Sequence, residues 1–448
     1  MTPRTIDLER YIGVVQRLNT VKTNGKVAQV IGVVVESIGP QASIGELCYI
    51  VTSRTKPPVP AEVVGFRDNR VLLMPLADVE QIANGNEVIG TGTSRSVAVG
   101  MDLLGRVLDG LGQPIDNKGP IVTDVQYPVF HSPPHPLQRK QITSPLCFGV
   151  KAIDGILTCG KGQRIGIFAG SGVGKSTLLG MIARSSSADV NVIALIGERG
   201  REVREFIEKR LGPQGMARSV VVVATSDQPA IQRLQGAMVA TTIAEFFRDQ
   251  GLDVMLMMDS VTRFAWAQRE IGLAIGEPPT TRGYTPSVFA LMPKLLERSG
   301  AGEQGTITGL YTVLVEGDDM NEPVADTVRG ILDGHIVLSR QLADRGHYPA
   351  IDVLPSVSRL MPDITTSEHR RAATRVREIL STYRQSEDLI SIGAYARGSN
   401  PKIDDAITNI DGVNAFLTQP ASMASSWDDT MQALMRFAPG KELQEVSA

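Results

Sequence analysis

The chain has 448 residues, is 42% hydrophobic and 5% aromatic, and carries a formal net charge of −3. That length implies two or three domains, and the near-neutral charge gives no sequence-wide attraction to nucleic acid. No apolar run reaches the about 20 residues that span a bilayer, and the three cysteines (Cys48, Cys147 and Cys159) show no metal-ligand or CxxC spacing, which fits a reducing compartment.

In chain order, the start MTPRTIDLERYIG is too charged for a secretory signal. Over residues 5 to 20 the apolar positions Leu8, Tyr11, Ile12, Val15 and Leu18 fall on one face of a helix. That face packs on its own domain or takes a partner. From about residue 25 to 93 the pattern becomes short β-rich runs at 28–37, 47–51, 61–66 and 70–74, punctuated by Gly, Pro, Asn and Asp. Close spacing of this kind suggests a small β-barrel. Residues 94–150 read as a connection, with turn chemistry near Gly110 and Pro114 and a proline-rich crossing at 132–137. His131 and His135, in HSPPH, read as loop residues because the prolines forbid a helical ligand pair.

From about 150 to 365 apolar strands alternate with helices. The strands are expected at 164–168, 192–196, 220–224, 254–258 and 306–315. Near-continuous apolar strands between helices indicate a parallel sheet covered on both faces. The remainder, from about Ser367, is helical, with Val376, Ile379, Leu380 and Tyr383 on one face and breaks at Gly393, Gly398 and Pro401.

The most specific stretch is RIGIFAGSGVGKST, Arg164 to Thr177. A strand, a glycine-rich turn and a helix opening on Lys-Ser form the phosphate-binding P-loop arrangement. Gly170, Gly172 and Gly174 let backbone N–H groups turn inward. The helix beginning near Lys175 adds the positive end of its dipole. Gly170, Ser171, Gly172, Val173, Gly174, Lys175, Ser176 and Thr177 are therefore expected to cradle a nucleotide. Lys175 reaches the β- and γ-phosphates, and the Ser176 hydroxyl ligates Mg²⁺. Ala169 stands where the strict pattern has glycine.

Two strand ends should lie beside this loop, because ligands of α/β sheets sit at the carboxyl ends of strands. The strand 254–258 runs into Asp259, an acid placed to hold the water shell of Mg²⁺ or to cap the next helix. The strand 192–196 runs into Gly197-Glu198-Arg199-Gly200-Arg201-Glu202. Glu198 is the candidate for orienting and polarising the attacking water.

That last hexapeptide, GEPPTTRGYTPSVF at 276–289, YTVLVEGDDMNEPVADTVRGILDGHIVLSR at 311–340 and GHYPAIDVLPSVSR at 346–359 occur in this order. Together they closely resemble the type III export ATPases of the rotary ATP synthase superfamily, and most closely the flagellar export ATPases. The resemblance implies an α/β fold: a RecA-like P-loop core with a mainly parallel sheet (96–365), preceded by a partner-binding helix (1–24) and a β-barrel (25–95), and followed by a helical domain (366–448). It implies ATP and Mg²⁺ as ligands, with Lys175, Ser176, Glu198, Arg199, Glu202 and Asp259 around Mg-ATP, and Ser176, Glu202 and Asp259 toward the metal. It makes Arg359 the arginine finger that reaches a neighbouring subunit's nucleotide, worth roughly 10³–10⁵ in rate in P-loop enzymes. It puts Tyr348, otherwise readable as a packed core tyrosine, beside the adenine.

The partners implied by the resemblance are five further copies in a homo-hexamer, a regulatory stator-like export protein at the N-terminal helix, export chaperones and their cargo, and an export gate at the inner membrane. The implied location is cytoplasmic, peripherally associated with that membrane, and no specific nucleic acid is implied. Flagellar export is favoured by STYRQSEDL at 381–389 and SIGAYARGS at 391–399. An injectisome export ATPase and a catalytic synthase subunit are the alternatives. A nucleic-acid translocase lacks support from any aromatic-basic stripe.

Overall fold

The computed structural model describes residues 23–438, except 54, 78, 316 and 318. The expected helix over 5–20 lies outside the described residues. By packing, the chain divides into two units, one running to Arg95 and including Ala274–Gly276, the other holding the rest.

The first unit contains a closed antiparallel barrel of six strands: Gly25–Ile31, Val34–Ile38, Glu46–Val51, Val59–Arg67, Arg70–Pro75 and Glu87–Ser94. The first pairs with the second, then come the fifth, fourth, third and sixth, and the sixth returns to the first. Strict alternation along Glu46–Val51 buries Cys48 and Ile50 and leaves Leu47 and Tyr49 half-buried, the period of a one-sided strand. The interior is closed by Val27, Val35, Val63, Leu73 and Val88. The run 28–37 is two strands, not one. Gly32 adopts a φ of 57° and folds the chain back so that Ile31 faces Val34 and Val30 faces Val35. The sixth strand, more than half of it Gly, Thr and Ser, carries too little apolar pattern to stand out in the sequence.

The second unit is built on a nine-stranded sheet. Its order is Ile351–Ser358, Gly334–Leu338, Arg164–Ala169, Thr306–Leu314, Asp253–Asp259, Val190–Ile196, Ser219–Ala224 and Val107–Asp109, with Gly300–Ala301 added alongside Thr306–Leu314. All main ladders are parallel except the one joining Gly334–Leu338 to Ile351–Ser358. The strands Val190–Ile196 and Ser219–Ala224 are buried throughout, as strands covered on both faces must be. The segment 94–150 is more than a connection. Its three residues Val107–Asp109 pair in parallel with Val221–Val223 and extend the sheet. Three residues are too few to show a period.

A buried ion pair holds one flank of the sheet. Arg298 is 1% exposed and Glu245, on the helix Ala230–Asp249, is 3% exposed. The guanidinium donates to both Glu245 oxygens at 2.9 and 2.6 Å, to the Thr242 hydroxyl at 2.8 Å and to the Val129 carbonyl at 2.9 Å. The charge is thus satisfied on every side that the interior presents.

After the sheet come three helices, Ser367–Ser391, Pro401–Leu417 and Trp427–Met435. They pack on the short helix Lys151–Ile156 through Val376, Phe416 and Leu434. The edge strand beneath them is irregular. Between the pairs Val337–Asp352 and His335–Val357, one residue on one side faces four, 353 to 356, on the other. Arg377 of the first helix staples this bulge by donating to the carbonyls of Val353 at 2.6 Å and Ser356 at 3.2 Å, and Arg384 holds Asp352 through both carboxylate oxygens.

Removing one partner of the buried pair strands the other. Arg298→Leu is expected to cost about 3–5 kcal/mol, and the double replacement Arg298→Leu/Glu245→Leu to recover most of it. Calorimetric melting of the parent and the two variants checks this: a double variant no more stable than Arg298→Leu alone would contradict it.

Candidate active site

The strand Arg164–Ala169 is buried beyond its first residue and lies between Gly334–Leu338 and Thr306–Leu314. At its end Gly172 and Gly174 adopt φ values of 81° and 94°, which only glycine takes without strain. The helix Lys175–Ser185 starts directly after them. The turn therefore aims backbone N–H groups and a helix N-terminus into one cleft of about 850 Å³. Ser171, Ser176, Thr177, Glu198, Arg199 and Glu202 all line it.

Lys175 sits at the bottom of this cleft. Its ammonium bonds to Asp259 Oδ1 and lies 3.7 Å from Glu198 Oε1. Asp259 is the last residue of its strand and 4% exposed. The Thr312 hydroxyl, from the adjoining strand, donates to the same Asp259 oxygen at 2.7 Å. Burial pushes the Lys175 ammonium toward deprotonation, but the two carboxylates outweigh it and raise its affinity for the proton. Glu198 is pushed up to about 7 by burial and by the Asp259 charge, against the pull of Lys175. Gly197, at φ 70°, makes the turn that brings Glu198 here.

The remaining sequence candidates fall into two groups. Arg199 and Glu202 are on the cleft wall, 3.7 Å apart and largely in solvent. Tyr348 is 47% exposed rather than core-packed, with its ring edge near Gly174; a Cβ there would lie 3.6 Å from it. Arg359 does not line the cleft of its own chain. It is exposed at the end of the edge strand, where its guanidinium donates to the Arg329 carbonyl at 3.5 Å.

Among the lining residues that escaped the sequence reading are Arg263 and Trp266, on the helix Val261–Ile275, and Arg340, which donates to the Ser171 carbonyl at 3.3 Å. The signal for the first two was present. They stand four and seven positions after Asp259 and, being three apart, share one helix face.

A buried lysine beneath a glycine loop, with acids at the ends of two neighbouring strands, defines a P-loop nucleotide-hydrolysing core. Comparisons give the class its family. Residues 149–358 match the ATP synthase alpha/beta family nucleotide-binding domain, 27–92 its beta-barrel domain and 365–436 the T3SS EscN ATPase C-terminal domain. The chain is 56% identical to the flagellum-specific ATP synthase of Bacillus subtilis (strain 168), covering 97% of this chain and 99% of that one. It is 52% identical to the type 3 secretion system ATPase of Xanthomonas euvesicatoria, over 92% of this chain and 93% of the other. The assembled ATPase EscN of enteropathogenic E. coli, solved with its central stalk EscO, superposes with a TM-score of 0.85 at 46% identity, over 92% of this chain and 99% of that one. The chain belongs to the ATP synthase alpha/beta family, in the branch of flagellum-specific and type 3 secretion system ATPases, and it is a P-loop ATPase.

The Glu198 environment has a measurable consequence. Its folded form holds a proton that the unfolded chain releases near 4.5, so this group's contribution to stability falls as pH rises through that window and is gone above about 7. Without nucleotide, the melting temperature of Glu198→Gln relative to the parent is expected to rise between about pH 5 and pH 8. A difference that stays flat across that range contradicts the assignment.

Proposed function

We propose that the chain couples ATP hydrolysis to the export of flagellar proteins across the inner membrane, as one subunit of a homo-hexameric ring. The observation that carries this reading is the Lys175 ammonium poised between Asp259 and Glu198 under the glycine loop. Lys175 turns from the carboxylates to the β- and γ-phosphates when nucleotide enters. Glu198 takes up the in-line water, and a carboxyl that titrates near neutrality suits a proton acceptor. The Ser176 hydroxyl and Glu202, which line the cleft, and the Asp259 carboxylate, reached through Lys175, are hard oxygen donors of the kind that fit Mg²⁺ held jointly with phosphates. Bound there, the metal supplies charge neutralisation on the phosphate oxygens. Arg263 faces the γ-phosphate, Arg199 lies at the cleft mouth, and Tyr348 flanks the adenine.

Arg359 acts in trans. Its exposure and its absence from its own cleft support this, and so does the assembled state of the EscN relative. The EscO stalk of that relative supports a regulatory partner of similar kind here, met by residues 1–24. Export chaperones, cargo and an inner-membrane gate complete the set. No described helix is long and apolar enough to cross a membrane, which fits a cytoplasmic subunit docked peripherally. The Xanthomonas likeness supports injectisome export as a second reading. Restored motility in a flagellar ATPase deletion strain, against restored effector secretion in an injectisome one, separates the two.

Lys175→Ala is expected to lose nucleotide binding. Glu198→Gln should bind ATP with turnover reduced on the order of 10²–10⁴-fold. Arg359→Ala should bind ATP and turn over roughly 10³–10⁵-fold more slowly. Mixing Arg359→Ala with Lys175→Ala should restore part of the activity, because some interfaces then join an intact P-loop to an intact finger. Steady-state turnover and nucleotide titration read all four outcomes. Absence of recovery in the mixture removes the trans role.

A further inference from the structure

Arg263 is aimed without hydrogen bonds. Among the described residues its guanidinium makes no ion pair, and its Nε is buried with no protein partner. Its side chain is confined sterically. On one side is Gly197, where a Cβ would meet the Cβ, Cγ and Cδ of Arg263 at 2.8, 3.0 and 3.1 Å. The Trp266 indole provides the other constraint, with the guanidinium carbon 4.5 Å from its centroid. That is stacking distance for a cation on the aromatic face that binds cations best.

The indole is itself fixed. Its Nε1–H donates to the Tyr284 hydroxyl at 3.0 Å. Tyr284 is 3% exposed, packs edge-on against Phe289 and keeps its proton, its hydroxyl donating toward the Glu322 carboxylate. Glu322 accepts from the N–H groups of Val324 and Ala325 at 2.9 and 3.0 Å, capping the helix Pro323–Ile331. A second guanidinium, Arg269, lies 5.9 Å from the Trp266 ring and 5.2 Å from the Tyr284 ring. The segment 276–289, prominent in the sequence yet idle in the chemistry above, thus supplies the anchor of the platform.

We propose that Trp266 is a positioning residue: its face, locked by Tyr284, holds the Arg263 guanidinium at the phosphate end of the cleft. The proposal rests on the assignment of Arg263 to the γ-phosphate. A cation held at a fixed angle before the reaction needs no reorganisation as charge develops, so its loss is felt in turnover more than in binding.

Trp266→Leu is expected to lower kcat about tenfold while changing the Kd for ATP less than about twofold. Trp266→Phe, which keeps an aromatic face, should recover most of that loss. In an Arg263→Ala background, Trp266→Leu should have no further effect. The chain has two tryptophans, so Trp427→Phe leaves Trp266 as the sole emitter. Its fluorescence should respond to Mg-ATP when Arg263 is present and not in Arg263→Ala. This optical readout does not depend on whether Trp266→Leu folds. Equal loss from Trp266→Leu in both backgrounds overturns the proposal, as does weaker binding that matches the lost turnover or an emission response that survives Arg263→Ala. If Arg263→Ala leaves turnover intact, the γ-phosphate assignment falls and the positioning role with it, while the ATPase reading stands.

Discussion

A buried ammonium has to be matched by negative charge, and the architecture of the catalytic unit follows from that requirement. Lys175 is too enclosed to be solvated by water alone, and two carboxylates at the ends of two other strands neutralise it. Bringing Asp259 and Glu198 to it needs the parallel order of Arg164–Ala169, Thr306–Leu314, Asp253–Asp259 and Val190–Ile196, because only parallel strands put their carboxyl ends on one edge. Thr312 shows how closely the arrangement is built. It occupies the strand between Lys175 and Asp259 and fixes the acid from the side. One cation thus answers to two acids, so any anion that entered the cleft would compete with both for it.

The scaffold around this exchange is stiff. Apolar packing fills both faces of the sheet, and the Arg298–Glu245 pair ties the helix Ala230–Asp249 to the segment before Gly300–Ala301 with every donor used. On the other side His369, buried and kept toward its neutral form by burial, meets the Gly155 carbonyl at 2.8 Å. The long C-terminal helix is thereby attached to the base of the nucleotide-binding layer.

Much of this was legible in the sequence because its signals are local. The P-loop needs one strand, one turn and one helix in succession, and RIGIFAGSGVGKST spells all three. Asp259 and Glu198 were legible as acids that close apolar runs. Arg263 and Trp266 were not read, because their place in the cleft depends on the phase of the helix after Asp259 and on the absence of a Cβ at Gly197, a residue far away in sequence. Thr312 was unread because its partner lies across a strand ladder. Val107–Asp109 was unread because an edge strand of three residues needs only a neighbour, not a pattern. Tyr348 and Arg359 came from resemblance alone: nothing in an exposed tyrosine or an exposed arginine marks either of them as a site residue.

The edge strand between those two residues departs from a regular ladder. A regular strand of eight residues behaves as a taut strap, its length fixed by its ladder at about 3.3 Å per residue. This one carries slack at 353–356, gripped by Arg377 of the C-terminal helix, while Arg384 of the same helix holds Asp352 just before it. The stretch from Tyr348 to Arg359 is thus tied to the C-terminal helix as well as to its sheet neighbour, and its course is set by those side-chain bonds and not by the ladder alone.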